Sequence, residues 1–106
     1  MTGKYFEMAA ARRDGFLNIG EAARASGVSA KMIRHYEQTG VLPAPPRTVA
    51  GYRLYRAADV HTLRFVQRAR ELGFPVREIR ELVEQWRNRR RSSAEVQRLA
   101  SRHLAA

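Results

Sequence analysis

The sequence predicts a mainly α-helical winged helix-turn-helix: two helix pairs, a small β-hairpin wing between them, and the start of a further helix. Three observations predict it. Residues 18 to 38 hold two short apolar-periodic stretches separated by Gly27, and recurrence every three or four residues marks one buried helical face. Residues 42 to 55 bring Pro43, Pro45 and Pro46, then a Val49-Ala50-Gly51 tip among tyrosines and arginines, the composition of a turn between extended stretches. Finally, 20 Lys+Arg stand against 10 Asp+Glu, a formal net charge of +10 that attracts a polyanion, with nucleic acid the leading candidate.

Each element follows in order. Residues 1–16 read as a flexible N-terminal extension, since termini of this composition are ordinarily disordered; a mobile basic arm on DNA is the alternative. Asn18 and Gly20 precede the first helix, whose apolar side is Ile19, Ala22, Ala23 and Ser26, and Gly27 ends it. Ser29 caps the second helix by accepting a bond from a free backbone N–H. Ile33 and Tyr36 share one face of that helix, Lys31, Arg34, His35 and Gln38 fall on others, and Gly40 closes it. In such a pair the second helix enters the major groove.

The prolines forbid a regular central strand in the wing, while Gly51 supplies the permissive backbone of a hairpin turn. Period-two alternation sends Tyr52 and Leu54 one way and Arg53 and Tyr55 the other, so that one side packs and the other offers charge and a hydroxyl to phosphates. From Ala58 to Leu72 the helical pattern returns on Val60, Leu63, Val66 and Ala69, and Gly73 stops it. Pro75 stands near the start of the next helix, whose face is Val76, Ile79, Leu82, Val83 and Trp86. A lone Trp on such a face belongs in the core. Arg87 to Arg91 reads as a basic turn, and Ser92 or Ser93 as the N-cap of a last helix carrying Val96, Leu99, Ala100 and His103 on one face.

Absent residues exclude several chemistries. Without cysteine there is no disulfide, zinc-thiolate site or cysteine nucleophile. No apolar run spans a bilayer and the N-terminus lacks the apolar core of a signal peptide, so a cytoplasmic location and no membrane partner are expected. His35, His61 and His103 show no paired metal spacing, and no Gly-rich phosphate loop is present. Neither catalysis nor a metal site is expected.

The run MIRHYEQTGVLPAPPRTVAGYRLYRAADVHTLRFVQRARELGF contains I-R-x-Y-E, G-L/V-L-x-P, R-x-x-x-G-Y-R-x-Y and L-G-F elements. It resembles the N-terminal DNA-binding domain of the MerR family of bacterial transcription regulators, from about Leu17 to the C-terminus. The resemblance implies a DNA-binding domain over residues 17–91 and, over 92–106, the start of a truncated dimerisation helix. It implies double-stranded promoter DNA as partner, with RNA polymerase at the same promoter, and distortion of an over-long promoter spacer. A homodimer is expected only with a longer dimerisation helix.

DNA contacts are expected from Ser29, Lys31, Arg34, His35 and Tyr36 on the helix pair, from Arg47, Tyr52, Arg53 and Tyr55 on the wing, and from Arg70. Arg34 can fork onto a guanine edge or clamp a phosphate; the alternative is an intramolecular pair with Glu37 or another acid. Lys31 suits a phosphate. His35 stands where the family more often has an aromatic residue, and can equally pack on the wing. Tyr36 resembles a family tyrosine whose ring packs while its hydroxyl reaches the DNA backbone, core packing alone being the other reading. Arg47 and Arg53 are phosphate candidates, Tyr52 has a packing alternative, and Arg70 resembles a second-wing arginine or belongs to a solvated face.

The string RRSSAEVQRLA resembles the copper-efflux members, in which a serine, here Ser93, stands where divalent-metal sensors have a cysteine. The resemblance implies Cu(I) as the ancestral signal of a longer relative, bound by thiolates of a later loop, and no cofactor for this chain. A helix cap at Ser93 is the plain reading. The competing function is a DNA-architectural or recombination-directionality factor with a similar small winged helix, against which the helix pair after Tyr55 argues.

Overall fold

The computed structural model describes residues 3–105; Met1, Thr2 and Ala106, and the side chain of His103 expected on the last apolar face, lie outside the described residues. Five helices follow one another: α1 (Gly3–Arg13), α2 (Ile19–Ser26), α3 (Ala30–Gln38), α4 (Ala57–Glu71) and α5 (Val76–Ala105).

Helix α1 stands where composition suggested a flexible extension. The Ala-rich run before Arg12 is a strong helix former, Ala11 is buried, and the Glu7 carboxylate accepts the Val49 N–H at 2.8 Å. Helix α2 starts on a full capping box: Asn18 Oδ1 accepts the Glu21 N–H at 2.8 Å, and Glu21 Oε1 accepts the Asn18 N–H at 3.0 Å. It ends on Gly27, whose φ of 78° is the left-handed cap position. Val28 seals the turn between the helices, buried with its N–H on Ser26 Oγ at 3.1 Å. Ser29 then caps α3, its Oγ accepting the Met32 N–H at 3.2 Å.

The core joins Ala22, Val28, Ile33, Tyr36, Val41, Leu42 and Tyr55 to Leu63, Val66 and Ala69 of α4 and Ile79 and Val83 of α5. Each fully buried large side chain contributes about 1.5–3 kcal/mol, so α3 is seated on the domain mainly by Ile33 and Tyr36. Arginines tie the layers together at helix C-termini. Arg64 donates through Nε and Nη2 to the Ala25 carbonyl at 3.0 and 2.8 Å, in the last turn of α2, and Arg80 Nη1 to the Thr39 carbonyl at 3.4 Å, at the end of α3. A cation there satisfies orphan carbonyls and complements the negative end of the helix dipole.

Four expectations need correction. No strand forms in the wing among the described residues; it is a loop closed by one antiparallel bridge, Arg47 with Arg53, and a second bridge, Leu17 with Tyr55, fastens its end to the residue before the α2 cap. Pro45 and Pro46 carry no N–H, and the Thr48–Gly51 turn follows at once, its Gly51 N–H on Thr48 O at 2.8 Å, so no ladder can extend. Second, the strict alternation fails with the strand: Leu54 and Tyr55 are both buried, while Tyr52 is exposed.

Third, Arg87–Arg91 is no turn. Helix α5 runs 30 residues without a break, and Ser92 and Ser93 lie inside it. The stretch holds no glycine or proline to stop it, and the boundary expected between residues 91 and 92 falls mid-helix. Fourth, Trp86 is 42% exposed rather than core. The last core residue of α5 is Val83, one turn before it; Trp86 instead lines a groove of about 660 Å³ with His61, Phe65 and Leu82, its ring covered by the Arg90 guanidinium at 5.0 Å.

Candidate nucleic-acid interface

Helix α3 divides cleanly by exposure. At 100° per residue, Lys31, Arg34, His35 and Gln38 fall within about 100° of arc, and all four are exposed. Ile33 and Tyr36, on the opposite side, are 0% and 1% exposed. The sequence reading placed these polar residues off the buried face; the structure gathers them on one outward face. Arg34 makes no hydrogen bond or ion pair among the described residues, because the Glu37 carboxylate that could have neutralised it is taken by the wing.

Glu37 Oε2 accepts Arg53 Nε at 3.0 Å, and Glu37 Oε1 accepts the hydroxyl of Tyr55. Tyr55 is therefore a correction to the candidate list: its ring sits in the core and its hydroxyl faces a protein carboxylate. Burial first, then the bond to Glu37 and its negative charge, hold that hydroxyl well above the usual tyrosine range, with Arg53 and Arg34 pulling the other way.

Tyr36 is likewise seated in the core, and its hydroxyl accepts Nη1 of the exposed Arg70 at 3.1 Å. This bond joins α4 to α3 and holds an exposed guanidinium in place. Arg70 and Ser29 line one shallow hollow with Met32 and Gln67, beside the N-terminus of α3. Arg47 is exposed, with Nη1 on the Gly51 carbonyl at 3.3 Å, and Tyr52 is exposed with its N–H on Thr48 Oγ1 at 3.1 Å. The His35 ring is exposed and lies 6.0 Å from that of Tyr36, tilted by 54°.

The electrostatic balance follows. Among the described residues only two ion pairs form, Arg12 with Glu21 and Arg53 with Glu37. Most of the cations behind the +10 charge are thus left for an external anion. Sequence reasoning missed Glu37 as a wing partner, although the Glu was present in the I-R-x-Y-E element. It also missed Arg56, whose guanidinium covers the Phe16 ring at 5.1 Å. No local spacing signals either contact.

Among the described residues no three His, Cys, Asp or Glu side chains cluster as metal ligands, and no helix is long and apolar enough to cross a membrane.

HmrR, an HTH-type transcriptional regulator of Sinorhizobium medicae, is 54% identical over 84% of this chain and 60% of its own length. The heavy metal-dependent transcription regulator 2 of Rhizobium meliloti is 55% identical over the same shares. The chain thus spans about 60% of the length of the curated relatives it matches. HiNmlR, a MerR family regulator lacking the sensor domain and solved on promoter DNA, shares the fold with a TM-score of 0.60 at 23% identity, over 81% of this chain and 79% of its own. Residues 17–86 match the model of the MerR HTH family regulatory proteins, and with an outward cationic helix, a basic wing loop and these relatives, the chain belongs to that family.

Proposed function

We propose that this chain reads a promoter operator in double-stranded DNA, with α3 in the major groove and the wing on the flanking phosphates, to control transcription. The observation that carries the reading is the outward face of α3, where Lys31, Arg34, His35 and Gln38 stand exposed over a helix anchored by Ile33 and Tyr36. Arg34 reads a base edge. Lys31, Arg47, Arg53 and Arg70 meet phosphates, and Ser29, His35 and Tyr52 line the contact, while the buried Tyr36 acts behind them by holding Arg70. A single reading head is small, so two copies on a palindrome supply affinity and selectivity. Leu82, Trp86, Val96 and Leu99 are exposed apolar residues of α5, and a second copy covering them would set the two heads apart on one face of the DNA. Phosphate contacts on both sides of the site also supply the energy to bend it, and a distorted spacer is what would let RNA polymerase engage the promoter.

The names of the relatives suggest a heavy-metal signal, and Ser93 supports a copper-type ancestry. The residues present do not fit such a site: Cu(I) favours thiolate and thioether donors, cysteine is absent, and no donor cluster forms among the described residues. DNA recognition is therefore the role assigned to this chain.

The test is selection of duplexes from a random pool, followed by competition. A palindrome should be recovered and should resist displacement by random DNA, with log affinity falling linearly in log salt at about −0.9 per neutralised phosphate. Equal displacement by any duplex would overturn selective reading in favour of an architectural role.

A further inference from the structure

Glu37 is a carboxylate in the wrong place by two elementary criteria. It lies in the last turn of α3 (Ala30–Gln38), where a negative charge opposes the helix dipole, and it sits beside a surface argued above to meet a polyanion. Its side chain is 10% exposed, and each of its oxygens is committed to the wing: one to Arg53 Nε, one to the Tyr55 hydroxyl, 16 and 18 residues away in sequence. Burying such a group brings little net stability, because desolvation offsets the ion pair.

What the arrangement does supply is orientation. A guanidinium is a rigid planar fork with five N–H donors. Glu37 engages only its Nε, and the two terminal amino groups of Arg53 donate to no other group among the described residues. The Arg53 side chain remains 28% exposed. Its backbone is held at the bridge with Arg47, so the arginine is fixed at both ends with its donors unspent.

We propose that Glu37 is the positioning residue of the wing contact: by holding Arg53 through Nε, it presents the terminal amino groups of that arginine to a DNA phosphate. Recognition helix and wing then dock as one rigid unit, joined through one carboxylate. The inference rests on the DNA-reading function proposed above.

Sign distinguishes it from simple electrostatics. Glu37→Gln removes a negative charge next to DNA, which by charge alone tightens binding. Positioning predicts the reverse. One lost phosphate contact removes about 0.9 from the salt slope, a factor of about eight in affinity between 1 M and 0.1 M salt.

The experiment measures binding of the full chain to its selected operator and to a scrambled duplex across salt, for wild type, Glu37→Gln, Arg53→Ala, the double variant and Arg53→Lys. Glu37→Gln and Arg53→Ala should each weaken operator binding about eightfold and flatten the slope by about 0.9. The double variant should be no weaker than Arg53→Ala, since Glu37 acts through Arg53. Arg53→Lys, which leaves a cation beside the Glu37 carboxylate, keeps the charge but not the fork and should bind as weakly as Arg53→Ala. Wild-type selectivity with unchanged or tighter binding by Glu37→Gln, full affinity in Arg53→Lys, or additive losses in the double variant would overturn the positioning role alone. Loss of discrimination by the wild type itself would overturn the DNA-reading function on which it rests.

Discussion

Replacing Ser93 by proline separates a continuous α5 from two helices joined by a basic turn. In the unbroken helix Val76–Ala105, the Ser93 N–H is committed to the carbonyl four residues back, that of Arg89. Proline removes that bond and drives its ring into the preceding turn, at a cost of about 3 kcal/mol. Were Ser92 an N-cap, Ser93 would be the first helical residue, where proline is harmless.

The consequence is amplified by what lies beyond. Residues 92–102 are all exposed, and a segment of this length is marginal as a free helix. The break should therefore melt roughly the last three and a half turns, while Ile79 and Val83, upstream, keep the core. Far-ultraviolet circular dichroism should show the lost helix, and amide exchange should confine it to residues after 93.

Ser93→Ala gives an independent sign. Alanine in a helix interior is better than serine by about 0.5 kcal/mol, whereas removing a serine N-cap costs about 1 kcal/mol. Full helical signal in Ser93→Pro together with lost helicity in Ser93→Ala would refute the continuous helix.

Three other outcomes are expected. Arg34→Ala should cost about 1–3 kcal/mol on the operator and relax preference at one base step, while Arg47→Ala should weaken operator and random duplex alike; selection on both variants checks this. Tyr55 has a raised folded-state value, so its contribution is complete below the unfolded tyrosine value of about 10 and is lost as pH climbs towards the folded one; denaturant titrations should show wild type losing more stability than Tyr55→Phe above that pH. Trp86→Ala together with Leu99→Ser should shift sedimentation towards the monomer without loss of the folded core, because both side chains are exposed on α5; an unchanged sedimentation coefficient would remove α5 as the pairing face.

The helix-turn-helix was legible because its signals act within four residues. Asn18 and Ser29 as caps, Gly27 and Gly40 as left-handed closures, and Ile33 with Tyr36 on one face all follow from short-range bonding and a 3.6-residue period. The same holds for the stop at Gly73 and for the restart of the helix after Pro75.

Other features depended on partners that no local pattern encodes. Ser93 can serve as a cap or as an interior residue, and its own spacing does not choose; the chain chose continuity because nothing from Arg87 onward breaks the i to i−4 ladder. Trp86 lies on the correct stripe for a core residue, but the packed core of α5 ends at Val83 and Trp86 stands half-exposed in a groove with His61 and Phe65 of α4. The wing shows the limit most clearly. Alternation assigned Tyr55 to the DNA side, yet Tyr55 is bridged to Leu17 and its hydroxyl bonded to Glu37, and both partners are distant in sequence. Sequence by itself determined the capped, one-faced helix that is proposed to read DNA and the net cationic charge of the chain, through local bonding and summed charge. Only the tertiary structure decided which arginine is clamped, which tyrosine is buried and where the long helix runs, because those outcomes depend on contacts between segments that only folding brings together.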